Sequence, residues 1–137
     1  MSENTKQVIV MRKFKGLRTG KYCAQASHAS MSFLTKHGFI GQVYNDNVFI
    51  NIELGVSHLE EINHWLKNSF RKICVYVNSE EELVAIHQKA LDNGLISHII
   101  IDNGVTEFNG VKTLTCCAIG PAYDSKFIGL TDHLPLL

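Results

Sequence analysis

Four side chains able to handle a proton or an anion recur at one helical spacing early in the chain. Lys21, Gln25, His28 and Ser32 stand at i, i+4, i+7 and i+11, so a helix over this stretch puts them in one narrow stripe. Tyr22, Ala26, Ala29 and Phe33 run along one side of the stripe, and Ala24 and Met31 along the other. A polar line between apolar flanks predicts a half-buried helix bordering a cleft, and the small alanines and serines allow a sheet to approach it closely. On periodicity alone such a line is more often a solvated face. It starts, however, at the helix N-terminus, where free backbone N–H groups and the macrodipole favour an anion. Cys23 shares that helix start, a setting that lowers a thiol pKa beside a lysine. It points away from the stripe, and a packing role is expected for it.

A second polar group, Asp102-Asn103-Gly104-Val105-Thr106, ends a strand-like run from Ile96 to Ile101. In open α/β sheets, sites gather beyond the carboxyl ends of parallel strands. If the loop before Lys21 and the loop after Ile101 lie at the same end of a sheet, Lys21, His28, Asp102 and Thr106 converge. The competing reading of Asp102 is a turn-former at a strand end. His37, His58, His64, His87, His98 and His133 have no metal-ligand spacing, and the chain carries neither a G-x-S-x-G elbow nor a P-loop.

The elements that must position these groups are legible as local patterns. Val8-Ile9-Val10-Met11 reads as a buried first strand, and Arg12 to Thr19 as a basic loop. The striped helix runs from about Gly20 to His37 and is expected to stop at Gly38. Residues 38–56 read as a hairpin around Asn45-Asp46-Asn47 or as an irregular excursion. Ser57-His58-Leu59-Glu60 has capping-box spacing ahead of a helix with Leu59, Ile62, Leu66 and Phe70 as its apolar stripe and Trp65 beside it. Ile73 to Val77 is apolar throughout and reads as a central strand. Ser79-Glu80-Glu81-Glu82 is a second capping box, and Leu83, Ile86, Ala90 and Leu91 form the buried face of a third helix ended by Gly94. With the strand from Ile96 this makes a parallel, right-handed crossover. Leu114 to Ile119 is expected to be antiparallel to that strand and to end at Gly120-Pro121, with a short helix near 125–130 and a packed-down tail after it. The fold class is α/β: one domain over 1–137, a three-layer sandwich with a mixed four-stranded sheet and helices on both faces.

Composition narrows the function. Thirteen basic and thirteen acidic residues balance, so there is no global signature of a nucleic-acid binder. The charges are uneven, though: Arg12, Lys13, Lys15, Arg18 and Lys21 cluster with no acid among them, so a local basic patch is available. No run is long and apolar enough to cross a membrane, and the N-terminus lacks a signal-peptide core, which points to the cytoplasm. Cys23, Cys74, Cys116 and Cys117 form no C-x-x-C pair and read as small hydrophobes in a reducing compartment.

Several of these segments together resemble one family. Gly20-Lys21-x-x-Ala24-Gln25-x-x-His28-Ala29 resembles the G-K-x-A-A-Q-x-x-H-A signature of the archaeal/eukaryotic-type (class 2) peptidyl-tRNA hydrolases. The segment from Asp102 to Glu107 resembles their D-A-G-R-T-Q loop, and Thr113 to Pro121 their T-V-T-V-L-A-I-G-P strand. Ser79 to Leu83 and the final His133-Leu134-x-Leu136-Leu137 also fit. Val105 and Glu107 stand where the family has arginine and glutamine, and one residue is added before Thr113.

The resemblance implies hydrolysis of the ester between a peptide and the tRNA 3′ ribose, with tRNA as partner, no cofactor, no metal and often a homodimer. It implies Lys21, His28, Asp102 and Thr106 as the catalytic set, and Lys13, Lys15, Arg18, Gln25, Gly104 and Thr113 as residues against substrate or tRNA. In that scheme Asp102 orients or partly deprotonates a water, and Lys21 with the helix amides takes the oxyanion. Thr106 holds the ester or the water, and His28 orients Asp102 or protonates the leaving oxygen. Val105 and Glu107 support the competing expectation, a catalytically silent RNA- or protein-binding module. A hydrolase for another acylated tRNA or a smaller ester is a third.

Overall fold

The computed structural model describes residues 3–53, 55–105 and 107–137. Thr106 therefore lies outside the described residues. Strand β1 (Thr5–Arg12) leads into helix α1 (Thr19–His37), the hairpin β2 (Gly38–Tyr44) and β3 (Asn47–Ile52), and helix α2 (Val56–His64). One π-helical turn, Trp65–Ser69, extends α2. Strand β4 (Lys72–Val77), helix α3 (Glu80–Asp92), β5 (Ser97–Asp102) and β6 (Thr113–Tyr123) follow, and a 3₁₀ turn, Asp124–Phe127, leads to the tail.

The main sheet has the order β4-β1-β6-β5. β1 is parallel to β4 and antiparallel to β6, which is antiparallel to β5. β1, β4 and β5 therefore run the same way, and Arg12 and Asp102 end at one end of the sheet. Alternation along the strands separates two cores. Val8, Val10, Val75, Val77, Cys117 and Ile119 face α3 and the 3₁₀ turn, through Leu83, Ala90 and Phe127. Ile9, Met11, Cys116 and Ala118 face α1, through Ala29, Tyr22 and Ala26. The expected three-layer α/β sandwich with a mixed four-stranded sheet is the observed one.

Several local expectations hold in detail. Ser79 Oγ accepts the Glu82 N–H at 3.1 Å, capping α3. The hairpin forms around Asn45 and Asp46, both at positive φ (49° and 63°), the two-residue turn whose twist matches antiparallel strands.

Others change, each for a tertiary reason. The Ile73–Val77 strand lies at an edge, not the centre. It can be apolar there because the C-terminal tail covers it: Tyr76 N–H donates to Pro135 O at 3.1 Å and Leu137 N–H to Cys74 O at 3.0 Å. Helix α2 starts at Val56, so Ser57 lies inside its first turn and is not its cap. Of its expected stripe only Ile62 is buried; Leu59, Leu66 and Phe70 are exposed, and the buried anchor is Trp65. The covered face has turned before the π turn begins, because Glu61 is buried beside Ile62 and accepts the Tyr123 N–H at 2.9 Å. Trp65 packs edge-on against Phe33, and its Nε1 donates to Arg71 O at 2.8 Å.

β6 does not end at Gly120-Pro121 but continues to Tyr123, paired with β1 across a register shift between Lys6 and Val8. Gly38 does not reverse the chain at positive φ; it is extended and leads straight into β2. Cys116 and Cys117 are buried, with thiols pushed up to about 12, chiefly by desolvation. Cys23 is exposed rather than packed.

Candidate active site

Helix α1 meets the sheet with its polar stripe turned partly inward. Burial is greatest at Gln25, Ala29, Ser32 and Phe33, and falls away toward His28, Ala24 and Met31, all exposed. The stripe thus straddles the border of the packed face, and only one of its two apolar flanks is covered. Ala29 and Ala26 give the close approach to Cys116 and Ala118 that brings α1 down onto β6 and β5. At its start α1 has Arg18 as N-cap, without a side-chain cap or a first-turn acid. Tyr22 fixes the loop before it: its hydroxyl donates to Phe14 O at 2.9 Å and accepts the Phe14 N–H at 2.8 Å.

This placement brings Lys21 and Asp102 together across 81 positions of sequence, with Lys21 Nζ 2.9 Å from Asp102 Oδ1. The pair is largely enclosed, with side chains 14% and 11% exposed. Gln25 Nε2 donates to the same oxygen at 3.2 Å. Oδ2 accepts the Gly104 N–H at 2.8 Å. The Lys21 hydrogen bond holds the Asp102 carboxyl below its ordinary range; partial burial opposes this, and Gly104, the Lys21 charge and Gln25 add to it. Asp102 is therefore a carboxylate at neutral pH, and a weak base.

Gln25 is itself held from behind. Its Oε1 accepts from Thr115 Oγ1 at 2.6 Å, and both residues are buried. The amide is thereby oriented, nitrogen toward the carboxylate and oxygen toward the hydroxyl. Gln25, expected against substrate or tRNA, lies between Thr115 and Asp102 in the structure. The sequence marks Thr115 only as part of the strand motif from Thr113 to Pro121. Its signal was a threonine inside an otherwise apolar strand, where a buried hydroxyl must find a partner.

The remaining residues divide. Gly104 is a backbone element: at φ +83°, a Cβ there would stand 2.3 Å from Val111 O. Thr113 pairs across the sheet with Asp102 and donates to Val111 O at 2.9 Å. His28 is exposed on the rim of a groove that also contains Asp102. The hydrogen bonds to Asp102 among the described residues come from Lys21, Gln25 and Gly104. Lys15 is exposed, and Lys13 Nζ lies over the Tyr76 ring at 4.6 Å. Arg18, with no acid near it in sequence, is paired with Glu107: its Nε donates to Oε1 at 2.7 Å. Phe108, beside Glu107, lies 4.9 Å from Phe14 between ring centroids, so the loop after β5 folds back over the loop before α1.

The Lys21–Asp102 pair thus lies where β1 and β5 end and α1 begins, the end of an open α/β sheet at which sites gather. Comparison with known proteins identifies the family. The family model described as "Peptidyl-tRNA hydrolase PTH2" matches residues 5–137. A peptidyl-tRNA hydrolase of Nanoarchaeum equitans is 36% identical over 131 residues, covering 96% of this chain and 97% of the relative. One of Methanocaldococcus jannaschii is 35% identical over 132 residues, covering 96% and 99%. A solved structure of a protein of unknown function from Agrobacterium tumefaciens aligns over 98% of both chains with TM-score 0.55 and 14% identity, a likeness of fold alone. The chain belongs to the PTH2 family of peptidyl-tRNA hydrolases.

Proposed function

We propose that this chain hydrolyses the ester of peptidyl-tRNA through Lys21 and Asp102, as one catalytic domain over 1–137 in which 38–56 is a variable excursion. The observation that carries the assignment of roles is the enclosed Lys21–Asp102 contact of 2.9 Å, in a chain of this family. Hydrolysis adds the water oxygen to the acyl carbon, breaks the bond to the 3′ oxygen and returns a proton to that oxygen. The carboxylate, held below its usual range, is poorly suited to keep a proton. It orients the attacking water and stabilises the positive charge that develops as the water attacks. Lys21, with the first amides of α1, takes the oxyanion; one such donor is worth roughly 10²–10³-fold. Thr106 holds the ester or the water, and His28 on the rim passes the proton that the attacking water loses to the leaving oxygen. Gly104 and Thr113 keep the loop in place, and Lys13, Lys15 and Arg18 take tRNA phosphates.

The reaction is proposed to need no metal or cofactor, since an aminoacyl ester is already activated. No described helix is long and apolar enough to cross a membrane. A cytoplasmic location and a homodimer are further proposals that rest on family resemblance, the second checked by sedimentation.

The test is release of the blocked amino acid from N-acetyl-aminoacyl-tRNA by wild type and Asp102→Ala, both verified as folded by circular dichroism. Release by wild type and a loss of 10²-fold or more in the variant is expected, the scale of a positioned acid–base group. Equal rates would remove Asp102 from the mechanism. No release by folded wild type would favour the binding module that Val105 and Glu107 suggest.

A further inference from the structure

We propose that the peptide part of the substrate docks as an added parallel strand along the free edge of β5, a reading that rests on the hydrolase assignment above. β5 is the last strand of the main sheet, and among the described residues no strand pairs with its outer edge. In an antiparallel pair alternate residues aim both N–H and C=O at the partner, so the others on β5 aim theirs outward.

A groove of about 590 Å³ runs between this edge and α1. One wall is Ile99 to Asn103, and the other includes His28, Ser32 and Thr35. Consecutive strand residues line it, although Ile100 packs toward α1 and Ile99 toward the opposite core. The groove therefore reaches the rim of the strand and not just one of its faces.

α1 lies alongside β5 in the opposite direction. The Lys21–Asp102 contact closes one end of the pair, and His37 Nε2 to His98 Nε2, 2.8 Å apart, closes the other. The ester must sit at Asp102. The C-terminal residue of the peptide is then at the Asp102 end and its N-terminus lies toward His98, the direction of β5 itself. From His98 to Asp102 is about 13 Å of extended chain, room for about four residues. Strand addition takes its affinity from main-chain hydrogen bonds. Such bonds are indifferent to side chains, which suits a substrate defined by its ester.

Wild-type enzyme is assayed with three substrates sharing one tRNA and one C-terminal residue. These are N-acetyl-aminoacyl-tRNA, N-acetyl-tetrapeptidyl-tRNA, and the tetrapeptidyl form N-methylated at its internal amides. Two added main-chain hydrogen bonds predict about a tenfold rise in kcat/KM from the first to the second, lost again in the third. Equal kcat/KM for the first two overturns the proposal. So does a rise that survives N-methylation, which would place the gain in side chains. Release from none of the three would remove the hydrolase reading and this one with it, whereas release of the short substrate without a length effect removes this one alone.

Discussion

Replacing Thr115 by valine keeps the outline of the side chain and deletes one hydroxyl. That hydroxyl donates at 2.6 Å to Gln25 Oε1, and the residues are 1% and 2% exposed. Water does not reach the stranded acceptor, so the cost is that of a buried unsatisfied oxygen, about 1–3 kcal/mol, reduced slightly by the buried methyl. Taking about 2 kcal/mol and a urea slope of about 2 kcal/mol per molar, the unfolding midpoint falls by about 1 M. The same change releases the amide whose nitrogen lies 3.2 Å from Asp102 Oδ1. If that contact is weakened by about 1.4 kcal/mol in the transition state, kcat/KM falls about tenfold. Urea titration followed by circular dichroism and initial-rate kinetics read both numbers. Thr115→Ser restores the donor and is expected to recover both. Adding Gln25→Met to Thr115→Val is expected to cost less than the sum of the two, because the members of one chain of bonds couple. The reasoning is refuted if Thr115→Val matches wild type in midpoint and rate, or if serine fails to rescue.

Three further outcomes follow from the site. Asp102 has a lowered pKa in the folded state, so its stabilisation is complete above the unfolded value near 4 and is lost as pH falls through the folded one; the acid limb of kcat/KM is expected below about pH 4, and a limb centred above pH 5 would contradict the Lys21 contact. Gly104→Ala forces a Cβ against Val111 O at positive φ, and is expected to lower the melting temperature and cut kcat/KM by displacing the N–H that Asp102 accepts; an unchanged rate in a scan of substrate concentrations would count against that. Glu107→Gln unpairs Arg18 and is expected to lower KM and steepen its salt dependence by about one phosphate contact, while Lys15→Ala flattens it; KM values insensitive to salt in all three proteins would sink the phosphate-binding role.

How much of this was readable in the chain depended on how local each cause was. The α3 cap spans four residues, Ser79 to Glu82, so its acceptor and donor are both legible in the local sequence. The hairpin turn lay in two residues that tolerate positive φ. The helix carrying Lys21, Gln25 and His28 followed from period and stop signals alone. The buried face of α2 is not legible, because Glu61 turns inward to the Tyr123 N–H while Leu59 and Leu66 stay exposed, and nothing in the apolar pattern announces it. The apolar composition of β4 reads as a central strand, yet on one side its neighbour is the C-terminal tail and not a strand of the sheet.

The residue types and spacing by themselves determined the α/β class, the two polar segments and, through several motifs in order, the family. Only the tertiary structure decided which atoms meet. Lys21 and Asp102 are 81 positions apart, Arg18 and Glu107 are 89, and Gln25 and Thr115 are 90. Periodicity fixes the direction of a side chain within its own helix or strand, but the distance between two elements is set by packing. The small side chains of α1 at Ala26 and Ala29, seated on Cys116 and Ala118, set how near the helix comes to the sheet. That approach set Gln25 between Thr115 and Asp102, left His28 on the rim, and shaped the groove beside β5.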